Sequence, residues 1–110
     1  MNQAAEAAFR AMRANAQIAL EYARQNPNWR ESRLVVDAIA KRVEEVAEAA
    51  KIRFPRALRS DYPHIEWDEI AGMRDRLAHD YGNVDLDILG EVVDDHLPRL
   101  VTSIDRILAG

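Results

Sequence analysis

Apolar residues recur every three or four positions in four stretches of this chain, and no stretch alternates as a strand would. In the first, Phe9, Met12, Ala16, Ala19, Leu20 and Ala23 share one helical stripe, and nine alanines among the first 23 residues favour the helix further. "NPNW" ends it, because Pro27 disfavours helical geometry at Asn26. Asn28 with Glu31 resembles a capping box for a second helix. That helix carries Val35, Ile39, Val43, Val46 and Ala50 on one side and should run to about Ile52. Its other flank holds Arg42, Glu44, Glu45 and Glu48. "FPRALRSDYPHIEW", with Pro55 and Pro63, reads as a connection holding a short helical turn. Trp67, Ile70, Met73, Leu77 and Ala78 then mark a third helix, which should end near Gly82, a residue suited to the position just past a helix. Asp85 is a good N-cap for a fourth, with Val84 and Leu89 as its hydrophobic staple. Leu86, Leu89, Val93, Leu97, Leu100, Ile104 and Ile107 carry the period nearly to the C-terminus. Pro98 must kink that run or split it in two.

These elements predict an all-α antiparallel bundle of four to five helices occupying residues 1–110 as one domain. With 110 residues, 48% of them hydrophobic, the chain can bury one modest core, and a homodimer would cover surplus apolar surface. There are no cysteines, which removes disulfides, thiolate zinc sites and thiol nucleophiles, and fits a reducing compartment. No stretch approaches the roughly 20 apolar residues that a membrane helix needs, and the N-terminus is too polar for a signal peptide, so a cytoplasmic location is expected.

The formal net charge is −4 and the sequence pI about 5.3, so nucleic acid could bind only at a local basic patch. "KIRFPRALR" supplies one candidate, with Lys51, Arg53, Arg56 and Arg59 and no acid, although a solvated face is the simpler reading of such a run. Four glycines do not make a phosphate-cradling loop, and no Gly-flanked serine suggests a nucleophile elbow. His64, His79 and His96 lack the spacing of a zinc helix, so neither a metal nor another cofactor is expected. His64 reads as a loop histidine. His96 reads as a residue near a helix C-terminus, favoured by the dipole. Trp67 has apolar neighbours at helical spacing, which suits the core or a dimer interface.

The densest chemistry lies in "GMRDRLAHDYG", which holds Arg74, Asp75, Arg76, His79 and Tyr81. On an ideal helix Arg76 and His79 share a face while Arg74 and Tyr81 lie off it, so convergence needs a frayed end or a second copy across a dimer axis. A histidine can move a proton at neutral pH and an arginine can hold a phosphate oxygen. That pairing suits phosphodiester chemistry, although the same residues could decorate a polar helix face.

Read as Arg74, four residues, His79, one residue and Tyr81, the segment is similar to the Arg-x4-6-His-x-Tyr motif of the HEPN superfamily. "PHIEWDEIAGMRDRLAHDYGNVDLDILGEVVDDHLPRL" resembles the HepT-like branch, most strongly from about Tyr62 to Leu100, while the first 30 residues agree only in helical character and length. The agreement includes Trp67, Ile70, Ala71, Gly72, Asp75, Leu77, His79, Tyr81, the "VD" at Val84 and Asp85, and Pro98. The resemblance implies an all-α dimer in which two motifs face a shared cleft. It further implies the toxin of a toxin-antitoxin pair, a metal-independent RNA endonuclease neutralised by a small nucleotidyltransferase antitoxin. Carried over, His79 is the general acid/base, Arg74 stabilises charge on the reacting phosphorus, and Asp75 with Arg76 supports or binds substrate. Tyr81 is the tyrosine to which the antitoxin transfers AMP. The chain lacks a transferase motif, so it would be the acceptor.

Two other readings compete. A non-catalytic helical partner subunit would bind nucleotide or the nucleotidyltransferase without cleaving RNA, and the acidic pI favours it. A plain dimerisation module would tolerate changes at His79 and Tyr81.

Overall fold

The computed structural model describes residues 1–78 and 83–110. The sequence expectations for His79, Tyr81 and Gly82 therefore lie outside the described residues.

Helix α1 (Gln3–Gln25) begins where the Asn2 side chain accepts from the Ala5 amide. It buries Ala5, Ala8, Phe9, Met12, Ala16 and Ala19, close to the predicted stripe. The alanines let a second backbone approach, and α2 (Arg33–Glu48) lies against α1 along it. Asn28 does not cap this second helix. It precedes a single 3-10 turn, Trp29–Glu31, with no side-chain capping bond, and the Ser32 hydroxyl accepts from the Val35 amide instead. The reason is local: the turn closes through the Ser32 amide on the Trp29 carbonyl, which buries Trp29 and moves the start by four residues.

The α2 rod continues as a π turn, Ala49–Arg53, closed by the Phe54 amide on the Ala49 carbonyl at 2.9 Å. Wider winding there turns Phe54 inward. Its ring centroid lies 4.3 Å from that of Trp67 and 4.8 Å from that of Phe9, with Tyr62 edge-on to Phe9. A 3-10 turn, Arg56–Asp61, leads to the short helices α3 (Trp67–Ala71) and α4 (Met73–Leu77), offset at Gly72. A Cβ at Gly72 would lie 3.1 Å from the Asp68 carbonyl oxygen, so a side chain there must shift backbone.

Trp67 belongs to the core and not to a dimer surface, a correction to one of the two readings its neighbours allowed. It is 9% exposed, and its indole N–H donates to the carbonyls of Arg59 and Tyr62, both at 3.1 Å. The third helix also ends earlier than predicted. Ala78 is extended, forms an antiparallel bridge with Val84, and Asp85 N–H donates to the Leu77 carbonyl at 3.0 Å. Backbone pairing of Leu77 and Ala78 with the returning chain closes the helix there.

Asp85 caps α5 (Leu86–Glu91) as predicted, accepting from the amides of Asp87 and Ile88. The rod passes through a π turn, Val92–His96, into α6 (Leu97–Ala109). Pro98 sits in the first turn of α6, next to that widened turn, so the run is divided into two α-helices near the proline, as expected, with helical winding kept between them. His96 thus lies within a continuous rod and not at a helix end, which corrects the dipole reading. One hydrophobic cluster joins α1, α2, the aromatic connection, α3, α4 and the C-terminal rod, and α6 packs on α1. The described residues are helices and turns, with no strand among them.

Candidate active site

Helix α4 places Arg74 and Arg76 on different sides. Arg74 and Asp75 are exposed and face a cavity of about 390 Å³, whose other walls are Ala47, Glu48, Lys51 and Ile52 from the end of α2, with Ala71. Arg74 has no hydrogen bond or ion pair among the described residues. Arg76 turns to the opposite side, where its guanidinium lies 3.8 Å from Glu69 and 4.0 Å from Glu91. The structure therefore brings Arg74, Asp75 and Lys51 together and leaves Arg76 with carboxylates. The flanks of the segment holding His79 and Tyr81 are tied side by side, through the Ala78–Val84 bridge and the bond from Asp85 to Leu77.

The basic run of the connection divides in the same way. Lys51, Arg53 and Arg56 are exposed. Arg59 is structural: its Nη2 donates to the Ala50 carbonyl at 3.0 Å, its guanidinium lies 5.6 Å from the Trp67 ring, and its Nε is buried without a partner among the described residues. The sequence could not tell these arginines apart, since only the fold decides which one meets the indole.

A second cavity, about 400 Å³, opens between α3 and the C-terminal rod and includes Glu66, Glu69, His96 and Arg99. One ligand atom from each of Glu66, Glu69 and His96 falls within 4.8 Å of the others, a grouping that the motif search missed because His96 is far away in sequence. Arg99 occupies this group already. It pairs with Glu66 and with Asp95, and its Nη2 lies 3.2 Å from His96 Nδ1. With an arginine donating to Nδ1, a neutral imidazole carries its proton on Nε2, which faces Glu69 at 4.0 Å. The group is therefore arranged as a network of ion pairs and hydrogen bonds centred on Arg99. A hydrogen bond between the two carboxyl groups raises the Glu69 pKa above the ordinary carboxylate value and lowers that of Glu66, which Arg99 also favours as the anion. His64, by contrast, is exposed in the connection, as expected.

An all-α bundle with Arg74, Asp75 and Arg76 on a short helix defines a class, and comparison with known proteins supplies the family. The family model described as Ribonuclease HepT-like matches residues 9–107, and the chain belongs to that family. A protein named "Gamma-glutamylcyclotransferase and putative RNase" from Methanocaldococcus jannaschii is 40% identical over 77 residues, which cover 70% of this chain and 34% of that protein. A "Putative RNase" from Caldanaerobacter subterraneus subsp. tengcongensis is 35% identical over 71 residues, 64% of this chain and 62% of the relative. A "Probable ribonuclease HepT" from Thermococcus cleftensis is 33% identical over 70 residues, 64% of this chain and 63% of the relative. The chain thus spans between 34% and 63% of the length of these curated relatives. No solved structure matches it.

Proposed function

We propose that this chain is a metal-independent RNA endonuclease of the toxin type, acting as a homodimer with two Arg74, His79 and Tyr81 sets facing one cleft. The observation that carries the reading is Arg74, exposed at a cavity wall and without an anionic partner among the described residues. An unpaired arginine of this kind can meet phosphate oxygens through two parallel hydrogen bonds. In the reaction, the ribose 2′-oxygen attacks the adjacent phosphorus as His79 of one copy takes its proton. The bond from phosphorus to the 5′-oxygen breaks, and the leaving oxygen gains a proton from the imidazolium of the other copy. The products are a 2′,3′-cyclic phosphate and a 5′-hydroxyl. Arg74 neutralises charge that builds on the phosphorane, a role in which one well-placed donor is worth roughly 10²-fold to 10³-fold in rate. Asp75 sits next to Arg74 and supports the cleft. Arg76, held by Glu69 and Glu91, supports the motif helix from its other side.

The proposed partner is a nucleotidyltransferase antitoxin. The Tyr81 phenolic oxygen would attack the α-phosphorus of ATP, releasing pyrophosphate and leaving AMP on the tyrosine. The added negative charge and bulk would then exclude the substrate phosphate. The proposed setting is the cytoplasm; among the described residues no helix is long and apolar enough to cross a membrane.

The test is incubation of the unmodified chain with total RNA in chelator, beside His79→Ala. Cyclic-phosphate ends that require His79 are expected. A folded dimer with unmodified Tyr81 that leaves RNA intact would overturn the reading in favour of a non-catalytic binding subunit.

A further inference from the structure

Most cations of the chain are neutralised at close range. Arg13, Arg24, Arg30, Arg33, Arg76 and Arg99 all lie within 4.0 Å of a carboxylate. Among the described residues, Lys51, Arg53, Arg56, Arg74 and Arg106 have neither an ion pair nor a hydrogen bond. Arg106 stands apart on α6, and the other four lie on one short path, from the π turn that ends α2 to the start of the following 3-10 turn, with Arg74 across the cavity from Lys51.

The path is held from beneath. The Phe54 amide closes the π turn on Ala49, the Phe54 ring is 2% exposed among Phe9, Tyr62 and Trp67, and Arg59 fixes the Ala50 carbonyl. Lys51 and Arg53 therefore project from a turn whose backbone is anchored at both ends, which lowers the entropic cost of placing their charges on a ligand. In an acidic chain, exposed cations kept apart from the available carboxylates are those best able to meet an external anion.

We propose that Lys51 and Arg74 grip one phosphate of an RNA strand across the cavity, and that Arg53 and Arg56 carry the strand onward over the π turn. This rests on the ribonuclease reading and adds to it a binding subsite with a direction, from the motif helix toward the aromatic connection. Glu48 and Asp75 share the cavity wall, so the grip depends on where two cations reach and not on a net positive field. Lys51 is a binding residue here, and its effect should be uniform across sequences because it meets the backbone and no base.

The experiment measures binding of a single-stranded RNA oligonucleotide to the full chain carrying His79→Ala, which prevents cleavage, over a range of salt. Adding Lys51→Gln should weaken binding about threefold to tenfold and lower the salt slope by roughly 0.7, the value for one phosphate contact on a single strand. Lys51→Arg should restore both. Arg10→Gln, exposed on α1 and paired with Glu6 among the described residues, should change neither. Helical circular dichroism guards against a folding defect, and Arg53→Gln gives a second variant with a smaller effect in the same direction. Unchanged affinity and slope in Lys51→Gln would overturn the subsite, and cleavage by the otherwise unaltered chain would then leave the ribonuclease reading standing. Lys51-dependent binding by a chain that does not cleave would sustain the subsite and remove the catalytic reading. No RNA binding at all would overturn both.

Discussion

Two charged regions of this molecule are built in opposite ways. Between α3 and the C-terminal rod, Glu66, Glu69, Asp95, His96 and Arg99 neutralise one another, and Arg76 joins from α4. Across the molecule's aromatic core, Lys51, Arg53, Arg56 and Arg74 stand exposed without such partners among the described residues. Exposed ion pairs are worth little to stability, with a median of about 0–1 kcal/mol, but several linked pairs can fix the register of one helix on another. The first region is best understood as a seam between elements. The second leaves its charges available, which suits a surface that meets a polyanion. Charge count alone would have ranked the two regions wrongly, since the larger titratable cluster is the one already satisfied.

The comparison can be broken most severely from the core that separates the regions. Phe54→Ala removes the ring that anchors the π turn and should cost about 3–5 kcal/mol in urea unfolding, with loss of RNA binding as the turn loosens. A cost below about 1 kcal/mol would mean that the ring does not hold the turn. Next comes Arg74→Ala. It should lower the cleavage rate by roughly 10²-fold or more while stability stays within about 0.5 kcal/mol. A large fall in melting temperature would instead place Arg74 with the structural arginines.

On the other side, Arg99→Ala is expected to reduce stability only slightly, and to leave RNA affinity unchanged. Weaker RNA binding in this variant would extend the substrate surface into the seam. The smallest effect concerns pH. Because the Glu69 pKa is raised in the fold, its contribution is present below the ordinary value of 4.5 and is lost as pH rises through the raised value. Relative to Glu69→Gln, which cannot titrate, the unaltered chain should therefore lose stability on going from about pH 4.5 toward neutrality. Thermal unfolding of both chains across that range checks the sign, and a difference that grows in the other direction would show Glu69 to be stabilised as an anion. Glu66 shifts oppositely, so its contribution is lost only as pH falls through its lowered value.

Much of the fold was legible because helical period is written locally. The stripe of α1, the Asp85 cap and the long C-terminal run each depend on residues within a few positions of one another. The errors fell where a competing local turn or a distant stretch of backbone overrode the expected pattern. Asn28 and Glu31 have the right spacing for a cap, yet Ser32 takes that role because burial of Trp29 sets the preceding turn. The third helix stops at Leu77 because the returning strand of chain offers Ala78 and Leu77 partners that no local pattern announces.

The sequence by itself determined the class of fold and the residue types of the motif, since periodicity and spacing survive without knowledge of contacts. Only the tertiary structure decided which charges are spent and which are left. It turned Arg76 toward Glu69 and Glu91, seated Arg59 against Trp67, and set Lys51 across a cavity from Arg74. The physical reason is that a charge is defined by its neighbours within a few ångströms, and for Arg76, Arg59 and Lys51 those neighbours come from other elements than their own.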